Sequence, residues 1–320
     1  MFIEKQNREE SVFRGVIPIL PTPFTPAGEI DEESFLHVAE AAISSGVHGV
    51  AMFGLASEYY KLSDAERFHL VEFLVRQAAK RCPVIVSIVS HATRLAKLEA
   101  MRAVEAGADA LMILPPFFLD PKTDAMLQHV REIASAVSVP VIVQYAPLQT
   151  GRAIDAHIFA NLCKEAPNVT HIKVDAVPSG PIISALHSLG VGSLVGYMGL
   201  HLPEDFARGV AGIMPTVSVC HAFVKIWSYL IQGDDRARAL HWRILPLLNF
   251  MMQSIEGLIA CEKELLLLAG IIRSNHRREP TTHLDSVQKN QLRMLASHLT
   301  PSLAKPEGRD GLPNVLHIQH

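Results

Sequence analysis

The sequence predicts an α/β fold, a (β/α)8 TIM barrel that continues into a C-terminal helical extension. Short apolar segments alternate with helical segments about eight times over roughly 220 residues, which favours the barrel over a doubly wound open sheet. The apolar segments are continuous, as in a parallel sheet that is covered on both faces. No GxGxxG follows the first segment, so the dinucleotide-binding version of the open sheet lacks its usual support.

Each element is predicted from its local pattern. Acidic residues open the first helix at 31–45 and Gly46 ends it, while Ser63-Asp64-Ala65-Glu66 is a capping-box pattern that opens the second. The predicted strands are 15–20, 47–53, 83–89, 109–114, 140–145, 169–176, 192–195 and 212–214. The predicted helices are 31–45, 63–81, 94–106, 123–137, 155–165, 181–189, 203–208, 222–232, 235–255, 257–274 and 285–299.

These elements predict three regions. Residues 12–232 form the catalytic barrel, residues 233–300 form the helical extension, and residues 301–320, rich in proline and glycine, form a flexible tail. The apolar fraction of 49% is ample for a core in a chain of 320 residues.

Composition excludes several classes of function. A net charge of −3 leaves no electrostatic footprint for nucleic acid or an anionic membrane. The 16 histidines lack HxxxH or HExxH spacing, so we predict no metal site. Four cysteines lie far apart, the N-terminus does not resemble a secretory leader, and the apolar run 265–272 is too short to span a bilayer. We therefore predict a soluble cytoplasmic protein with reduced thiols.

A lysine interrupts the sixth predicted strand, Val169-Thr170-His171-Ile172-Lys173-Val174-Asp175-Ala176. Lysine is almost never fully buried without a partner or a task. Burial lowers the pKa of an amine, and a neutral amine is a nucleophile that can form a Schiff base with a carbonyl substrate. The alternative is a strand-end lysine whose stem lies on apolar surface while its ammonium reaches water.

The carboxyl ends of the strands carry the other candidate residues, because that end is the working face of such a barrel. The loop Gly54-Leu55-Ala56-Ser57 could point backbone N–H groups at a substrate carboxylate, with Glu58 bracing it. Side chains alternate along a strand, so His171, Lys173 and Asp175 share one face. Asp175 could hold Lys173 in an ion pair or exchange protons with it.

Five segments, GVIPILPTPF, GLASE, LPPFF, APLQTG and IKVD, resemble in order and spacing the dihydrodipicolinate synthase / N-acetylneuraminate lyase family of class I aldolases. The resemblance covers roughly residues 13–300. It implies a (β/α)8 barrel with a helical extension, assembled as a homotetramer or a dimer. It also implies a Schiff base between pyruvate or another 2-oxo acid and Lys173, without a cofactor. We assign substrate binding to Gly54, Leu55, Ala56, Ser57, Phe118, Gln149, Tyr197 and Met214.

The chain departs from the family pattern on strand five. Gln144 holds the place of the family's tyrosine, and Tyr145 comes one residue later. Strand alternation points the ring of Tyr145 to the other face unless a bulge restores it. A glutamine cannot serve as acid or base at neutral pH.

Other departures affect substrate recognition. Leu55 and Ala56 replace hydroxyl residues, Phe117-Phe118 replaces a tyrosine pair, and Gln149 stands where the synthases have an arginine. A true dihydrodipicolinate synthase is therefore not expected.

We predict a class I aldolase-type carbon–carbon or carbon–oxygen lyase, an aldolase or a dehydratase. The catalytic candidates are Lys173, Asp175, Gln144 and Tyr145, with Asp175 as the acid/base and Gln144 orienting substrate or a water. The alternative is a catalytically weakened barrel that binds a 2-oxo acid or regulates another protein.

Overall fold

The computed structural model describes residues 13–297, together with the backbone of 299–301 and 316–318. The strands are β1 (Gly15–Val16), β2 (Val50–Met52), β3 (Val84–Ile88), β4 (Ala110–Ile113), β5 (Val141–Tyr145), β6 (Val169–Val174), β7 (Gly192–Val195), β8 (Gly212–Ile213), β9 (Leu299–Pro301) and β10 (Leu316–Ile318).

Twelve α-helices are present in the described part of the chain. They are α1 (Glu32–Ser44), α2 (Asp64–Ala78), α3 (Thr93–Glu105), α4 (Thr123–Ala134), α5 (Pro147–Thr150), α6 (Ala156–Glu165), α7 (Gly180–Ser188), α8 (Leu202–Ala207), α9 (Cys220–Gln232), α10 (Arg236–Met251), α11 (Ile255–Leu268) and α12 (Ser286–Ala296).

The sheet has the strand order β1-β8-β7-β6-β5-β4-β3-β2. From β2 to β8 each strand lies beside the next, with a helical connection between them, and β1 lies beside β8; this is the order of a (β/α)8 barrel. The pairings from β3 to β8 are all parallel. The predicted fold class is confirmed, and helices α10 to α12 supply the C-terminal extension.

The chain divides into two compact units. The first comprises Met1–Gly15 and Asp64–Met214, and it contains strands β3 to β8. Its strands are buried along almost their whole length. Burial on both faces explains why these segments read as continuous apolar runs.

The second unit comprises Val16–Ser63 and Pro215–His320. Ile19 forms parallel bridges with both Ala51 and Thr216. Helix α11 lies in this unit and buries three consecutive charged residues, 262–264. A buried charge requires a hydrogen-bonding or ionic partner. Each of these three side chains contacts a different partner, namely Ser218, Glu58 and Asn275.

Most predicted elements are found with shifts of at most four residues at their ends. The predicted helix 257–274 instead ends at Leu268, shortly before Gly270 takes a left-handed φ of 70°. The first predicted strand, 15–20, is shorter, because Pro18 has no N–H to donate and regular pairing ends at Val16. Helix α5 was not predicted, and Pro147 occupies its first turn. The predicted boundary at residue 232 stays a prediction.

The ends of the chain are described only in part. The predicted tail, 301–320, lies outside the described residues except for Pro301 and Leu316–Ile318, and β9 and β10 pair antiparallel. Among the described residues no single helix is long and apolar enough to cross a membrane. Helices α10 and α11, which meet at a bend of 117°, reach the length and apolar composition of a membrane span only when they are counted together.

Candidate active site

Lys173 is buried near the carboxyl end of β6, in the first unit. It is paired with Gln144 of β5 on one side and with Leu194 of β7 on the other. Paired residues of parallel strands point to the same face of the sheet, so the side chains of Lys173 and Gln144 share a face. Regular strand pairing thus brings the amine and the amide together.

Asp175 follows β6 directly, and its backbone N–H still donates to the carbonyl of Tyr145 at 2.8 Å. Its carboxylate oxygen Oδ2 accepts hydrogen bonds from Lys173 Nζ and from Gln144 Nε2, the latter at 2.6 Å. Lys173, Asp175 and Gln144 are each 6% exposed. A buried carboxylate that touches an amine can hold it as an ion pair or accept its proton.

Tyr145 lies on the opposite face of β5. Its ring packs edge-on against Phe159 of α6, with 5.4 Å between the ring centroids. The pairing of β5 with β6 shifts register between Val141 and Ile142, which precedes both candidate positions. Alternation therefore holds at the end of β5, so the structure brings Gln144, and not Tyr145, to Lys173 and Asp175.

His171 is the third residue of β6 and lies two positions before Lys173. Its ring lies 5.9 Å from that of Phe13, and its Nδ1 is 3.0 Å from Thr170 Oγ1. Burial lowers its pKa to about 4, so the imidazole is neutral at pH 7. The His171 ring thus packs against Phe13, and its Nδ1 lies within hydrogen-bonding distance of Thr170.

Tyr197 opens an unusual turn after β7. Tyr197, Met198 and Gly199 have φ angles of 50°, 54° and 62°, which lie in the left-handed region. A hydrogen bond of 2.9 Å from Gly199 N to Gly196 O closes the turn. Left-handed backbone costs a non-glycine residue about 1–2 kcal/mol, so two such residues in succession mark a strained segment beside the site.

Gly196 is the residue that sequence reasoning missed. Its Cα faces the carboxylate of Asp175, and a Cβ built there would overlap Asp175 Oδ1. The sequence places Gly196 only at a strand end and offers no signal for this contact.

The remaining candidates of the first unit are dispersed. The side chain of Phe118 is 74% exposed, whereas Phe117 packs edge-on against His91 at 4.8 Å. Gln149 lies in α5, where its Oε1 is buried and has no hydrogen-bond partner among the described residues. Met214 is buried and donates its N–H to Val195 O at 2.8 Å.

The Gly54–Ser57 loop belongs to the second unit and forms one 3-10 turn, Leu55–Ser57. Ser57 Oγ donates to Leu20 O at 2.6 Å, and Ser57 N donates to Gly54 O at 2.8 Å. The only hydroxyl of the loop therefore holds the loop's own shape. The N–H groups of Leu55 and Ala56 head the turn, where no earlier carbonyl of the turn can accept from them.

Glu58 follows this turn in a left-handed conformation and is fully buried. Lys263 of α11 donates to its Oε1, and Lys61 donates to its Oε2 at 3.1 Å. Lys263 also lies 4.3 Å from the centroid of the Phe24 ring, and burial lowers its pKa to about 8. These contacts agree with the expectation that Glu58 braces the loop.

The same helix positions a second segment of this unit. The fully buried carboxylate of Glu262 accepts from Ser218 N at 3.0 Å and from the Ser218 hydroxyl, and its burial raises its pKa. Glu264 accepts from Asn275 Nδ2 at 2.8 Å. Each of the buried charged residues 262–264 therefore has a hydrogen-bond partner.

Within residues 13–297 no three His, Cys, Asp or Glu side chains are grouped as metal ligands. The four cysteines are free thiols.

The fold and the site together define a (β/α)8-barrel protein with a buried lysine–carboxylate pair on its sixth strand. The model of the dihydrodipicolinate synthetase family matches residues 12–299, and the chain belongs to that family.

Several known proteins are similar over most of the chain. L-2-keto-3-deoxyarabonate dehydratase of Azospirillum brasilense is 27% identical over 90% of this chain and 95% of its own. 4-Hydroxy-tetrahydrodipicolinate synthase of Haloarcula marismortui is 30% identical over 88% of this chain and 92% of its own. The crystal structure of dihydrodipicolinate synthase from Rhodopseudomonas palustris has a TM-score of 0.84 and 25% identity, covering 89% and 97%. The family and these relatives support an enzyme of lyase or dehydratase character.

Proposed function

We propose that this protein is a Schiff-base-forming lyase that acts on pyruvate or another 2-oxo acid through Lys173. One observation carries the proposal. A single carboxylate oxygen of Asp175 accepts from both Lys173 Nζ and Gln144 Nε2 in a buried site. This arrangement supplies a nucleophile, a group that can take its proton and a neutral donor that orients the carboxylate.

The proposed reaction begins with a proton transfer from the Lys173 ammonium to Asp175, which frees the amine. The amine attacks C2 of the 2-oxo acid, and the carbinolamine loses water to form a protonated imine, with Asp175 returning its proton to the departing hydroxyl. Asp175, again ionised, then removes a proton from C3, and the electron pair moves to the imine nitrogen as an enamine.

The enamine can continue in two ways. It can add through C3 to an aldehyde, forming a carbon–carbon bond while protonated Asp175 gives its proton to the aldehyde oxygen. The reverse of this step is aldol cleavage. It can instead expel a hydroxyl from C4 as water, for which protonated Asp175 supplies the proton. In either case hydrolysis of the imine releases the product and restores Lys173.

The side chains favour a lyase or dehydratase over a dihydrodipicolinate synthase. Gln144 cannot relay a proton in place of the family's tyrosine, and Gln149 cannot pair with a second carboxylate as arginine does. The similar protein from Azospirillum brasilense is named as a dehydratase of a 2-keto-3-deoxy acid. A prophage protein of this family from E. coli K12, with the same fold, is described in complex with pyruvate.

Several assignments stay predictions. They are the substrate-binding roles of Gly54, Leu55, Ala56, Ser57, Phe118, Gln149, Tyr197 and Met214, the homotetramer or dimer, and the cytoplasmic location. Gly54, Leu55, Ala56 and Ser57 enter the proposal through their resemblance to the family's carboxylate-binding loop.

A second candidate function is 2-oxo-acid binding without efficient turnover. The ion pair between Lys173 and Asp175 favours it, because a lysine held as an ammonium is not a nucleophile until its proton leaves. Such a protein would bind pyruvate and exchange its C3 protons with solvent slowly or not at all.

Borohydride trapping tests the leading proposal. Incubation with pyruvate and borohydride should add a reduced pyruvyl group to the peptide that contains Lys173, and Lys173→Met should abolish the adduct. No adduct with pyruvate, 2-oxobutanoate or 2-oxoglutarate would contradict the Schiff-base mechanism. An adduct without exchange of the pyruvate methyl protons in D2O would favour the binding function instead.

A further inference from the structure

The end of β7 carries a glycine whose role the proposed reaction does not yet explain. Gly196 donates its N–H to Val174 O at 3.1 Å, so it continues the pairing of β7 with β6 at the level of Asp175. Its φ angle is −100°, which any residue can adopt. Its ψ angle of −136° lies outside the broad β and right-handed α regions, so the backbone is one reason for a glycine at this position.

Space is a second and more direct reason. A Cβ at Gly196 would overlap Asp175 Oδ1 and would lie 2.9 Å from Asp175 Cγ. It would lie 3.2 Å from Lys173 Nζ, a distance that the flexible lysine stem can relieve by a small shift. The side chain of Asp175 is short. Its carboxylate therefore cannot move away from a new Cβ and still accept hydrogen bonds from both Lys173 and Gln144.

We propose that Gly196 is a positioning residue, whose missing side chain is the space that the Asp175 carboxylate occupies while it accepts from Lys173 and Gln144. This inference rests on the proposed function, because it treats Asp175 as the acid/base. Gly196 acts through Asp175 by leaving room for it. Any side chain at position 196 turns the carboxylate away from the amine and disables proton transfer, although the amine itself is intact.

The two chemical steps can be measured separately without knowing the natural substrate. Borohydride trapping reports imine formation on Lys173, and exchange of the pyruvate methyl protons in D2O, followed by proton NMR, reports removal of the C3 proton. In Gly196→Ala we expect imine formation to be slower, but the final amount of adduct after long incubation with saturating pyruvate to stay within about threefold. We expect the exchange rate to fall about 100-fold, to the rate of Asp175→Ala, since an acid/base group typically contributes at least that factor.

A double variant separates positioning from a general packing defect. Asp175→Ala empties the space into which the new methyl group would point. Gly196→Ala/Asp175→Ala should therefore exchange no more slowly than Asp175→Ala alone. Its urea midpoint should also fall by less than the sum of the two single effects.

Ser193→Ala is the matched control on the same strand. Ser193 is buried, pairs with Ile172 on the other face of the sheet, and its Oγ has no hydrogen-bond partner in the described part of the chain. Its loss should leave both trapping and exchange within about twofold, because it removes no hydrogen bond.

The outcomes are distinct. Two results would overturn the inference. One is an exchange rate in Gly196→Ala within threefold of that of the original protein. The other is a fall in the urea midpoint of the double variant that equals the sum of the two single effects. If Gly196→Ala does not fold, a folded double variant supports the overlap with Asp175, and an unfolded one contradicts it. If the original protein shows neither adduct nor exchange, the proposed function fails. The urea-unfolding comparison of the two single variants and the double variant then still decides whether Gly196 makes room for Asp175.

Discussion

Gln144 and Lys173 are paired in the β5–β6 ladder, and their side-chain nitrogens donate to the same oxygen of Asp175. The position that the family resemblance assigns to a tyrosine therefore lies beside Lys173 and is occupied by Gln144. The side chain at this position is a neutral amide, and the proposed acid/base, Asp175, directly follows the strand that carries the lysine.

Asp175→Asn should separate imine formation from proton removal. The amide retains the size of the carboxylate but cannot accept a proton, so pyruvate exchange should fall about 100- to 10,000-fold. The Lys173 adduct should form more slowly but reach the same final amount. Mass spectrometry after borohydride and NMR in D2O measure the two effects. Asp155→Asn is a matched control, because Asp155 caps α6 and asparagine caps a helix equally well. Exchange at the original rate in Asp175→Asn would remove Asp175 from the mechanism.

Gln144→Leu and Tyr145→Phe should differ sharply. Leucine removes the hydrogen bond to a charged acceptor, which is worth about 1.5–3 kcal/mol, so exchange should fall at least about tenfold. Tyr145→Phe keeps the ring on Phe159 and should change exchange less than about twofold. Measuring pyruvate exchange in both variants decides between the two candidates of strand five. A larger loss in Tyr145→Phe would mean that the tyrosine hydroxyl takes part.

Lys263→Met should destabilise the protein strongly, because it leaves the fully buried Glu58 with Lys61 as its remaining cation. Removing one partner of a buried ion pair typically costs about 3–5 kcal/mol. Glu58→Gln/Lys263→Met should cost less than Lys263→Met alone, because it removes the fully buried carboxylate while Lys61 keeps Glu256 as a partner at 3.7 Å. Urea unfolding measures all three proteins. A double variant less stable than the single one would show that the pair is not coupled in this way.

Asp205 should make stability fall as the pH rises through the acid range. Burial raises its pKa to about 6, and Ser179 Oγ donates to its Oδ1 at 2.7 Å. Because the folded pKa lies above the ordinary value of 3.8, this contribution is complete below pH 3.8 and is lost as the pH rises to about 6. Asp205→Asn should therefore raise the free energy of unfolding at pH 7, by on the order of 2 kcal/mol, and not at pH 4.

The comparison of Asp205→Asn with the original protein is needed because two histidines act in the opposite direction. Burial lowers the pKa of His129 and of His171 to about 4, so their contribution is lost as the pH falls from 6.5. The difference between variant and original cancels their effect. A difference that does not change between pH 4 and pH 7 would contradict the assignment to Asp205.

Much of this site follows from strand periodicity. The parity of positions 173 and 175 predicted that the lysine and the aspartate meet, and the one-residue offset of Tyr145 predicted that its ring points away. Both relations depend only on neighbours along a strand and on register between adjacent strands. They could be predicted because the elements themselves were recognisable from apolar runs and caps.

Other features depend on contacts between residues far apart in sequence. The overlap that excludes a Cβ at Gly196 requires the exact approach of β7 to β6, and no local pattern encodes a distance. Residues 262–264 form a charged run, a pattern that is typical of a solvated surface, yet all three are buried. The sequence does not indicate this burial, because their partners lie up to 205 positions away. The left-handed turn at Tyr197 and Met198 is likewise invisible, because neither residue favours that backbone.

The position of Asp175 on the chain has a consequence for how this site tolerates motion and mutation. Two residues of extended chain span about 6.6 Å, so covalent bonds set the spacing of amine and acid. An acid supplied by strand five would depend on inter-strand hydrogen bonds, and any sliding of the sheet would alter its reach. In the proposed mechanism, sliding of β5 past β6 would displace the Gln144 amide. The proton donor Lys173 and the acceptor Asp175 would keep their spacing, because both belong to one strand segment.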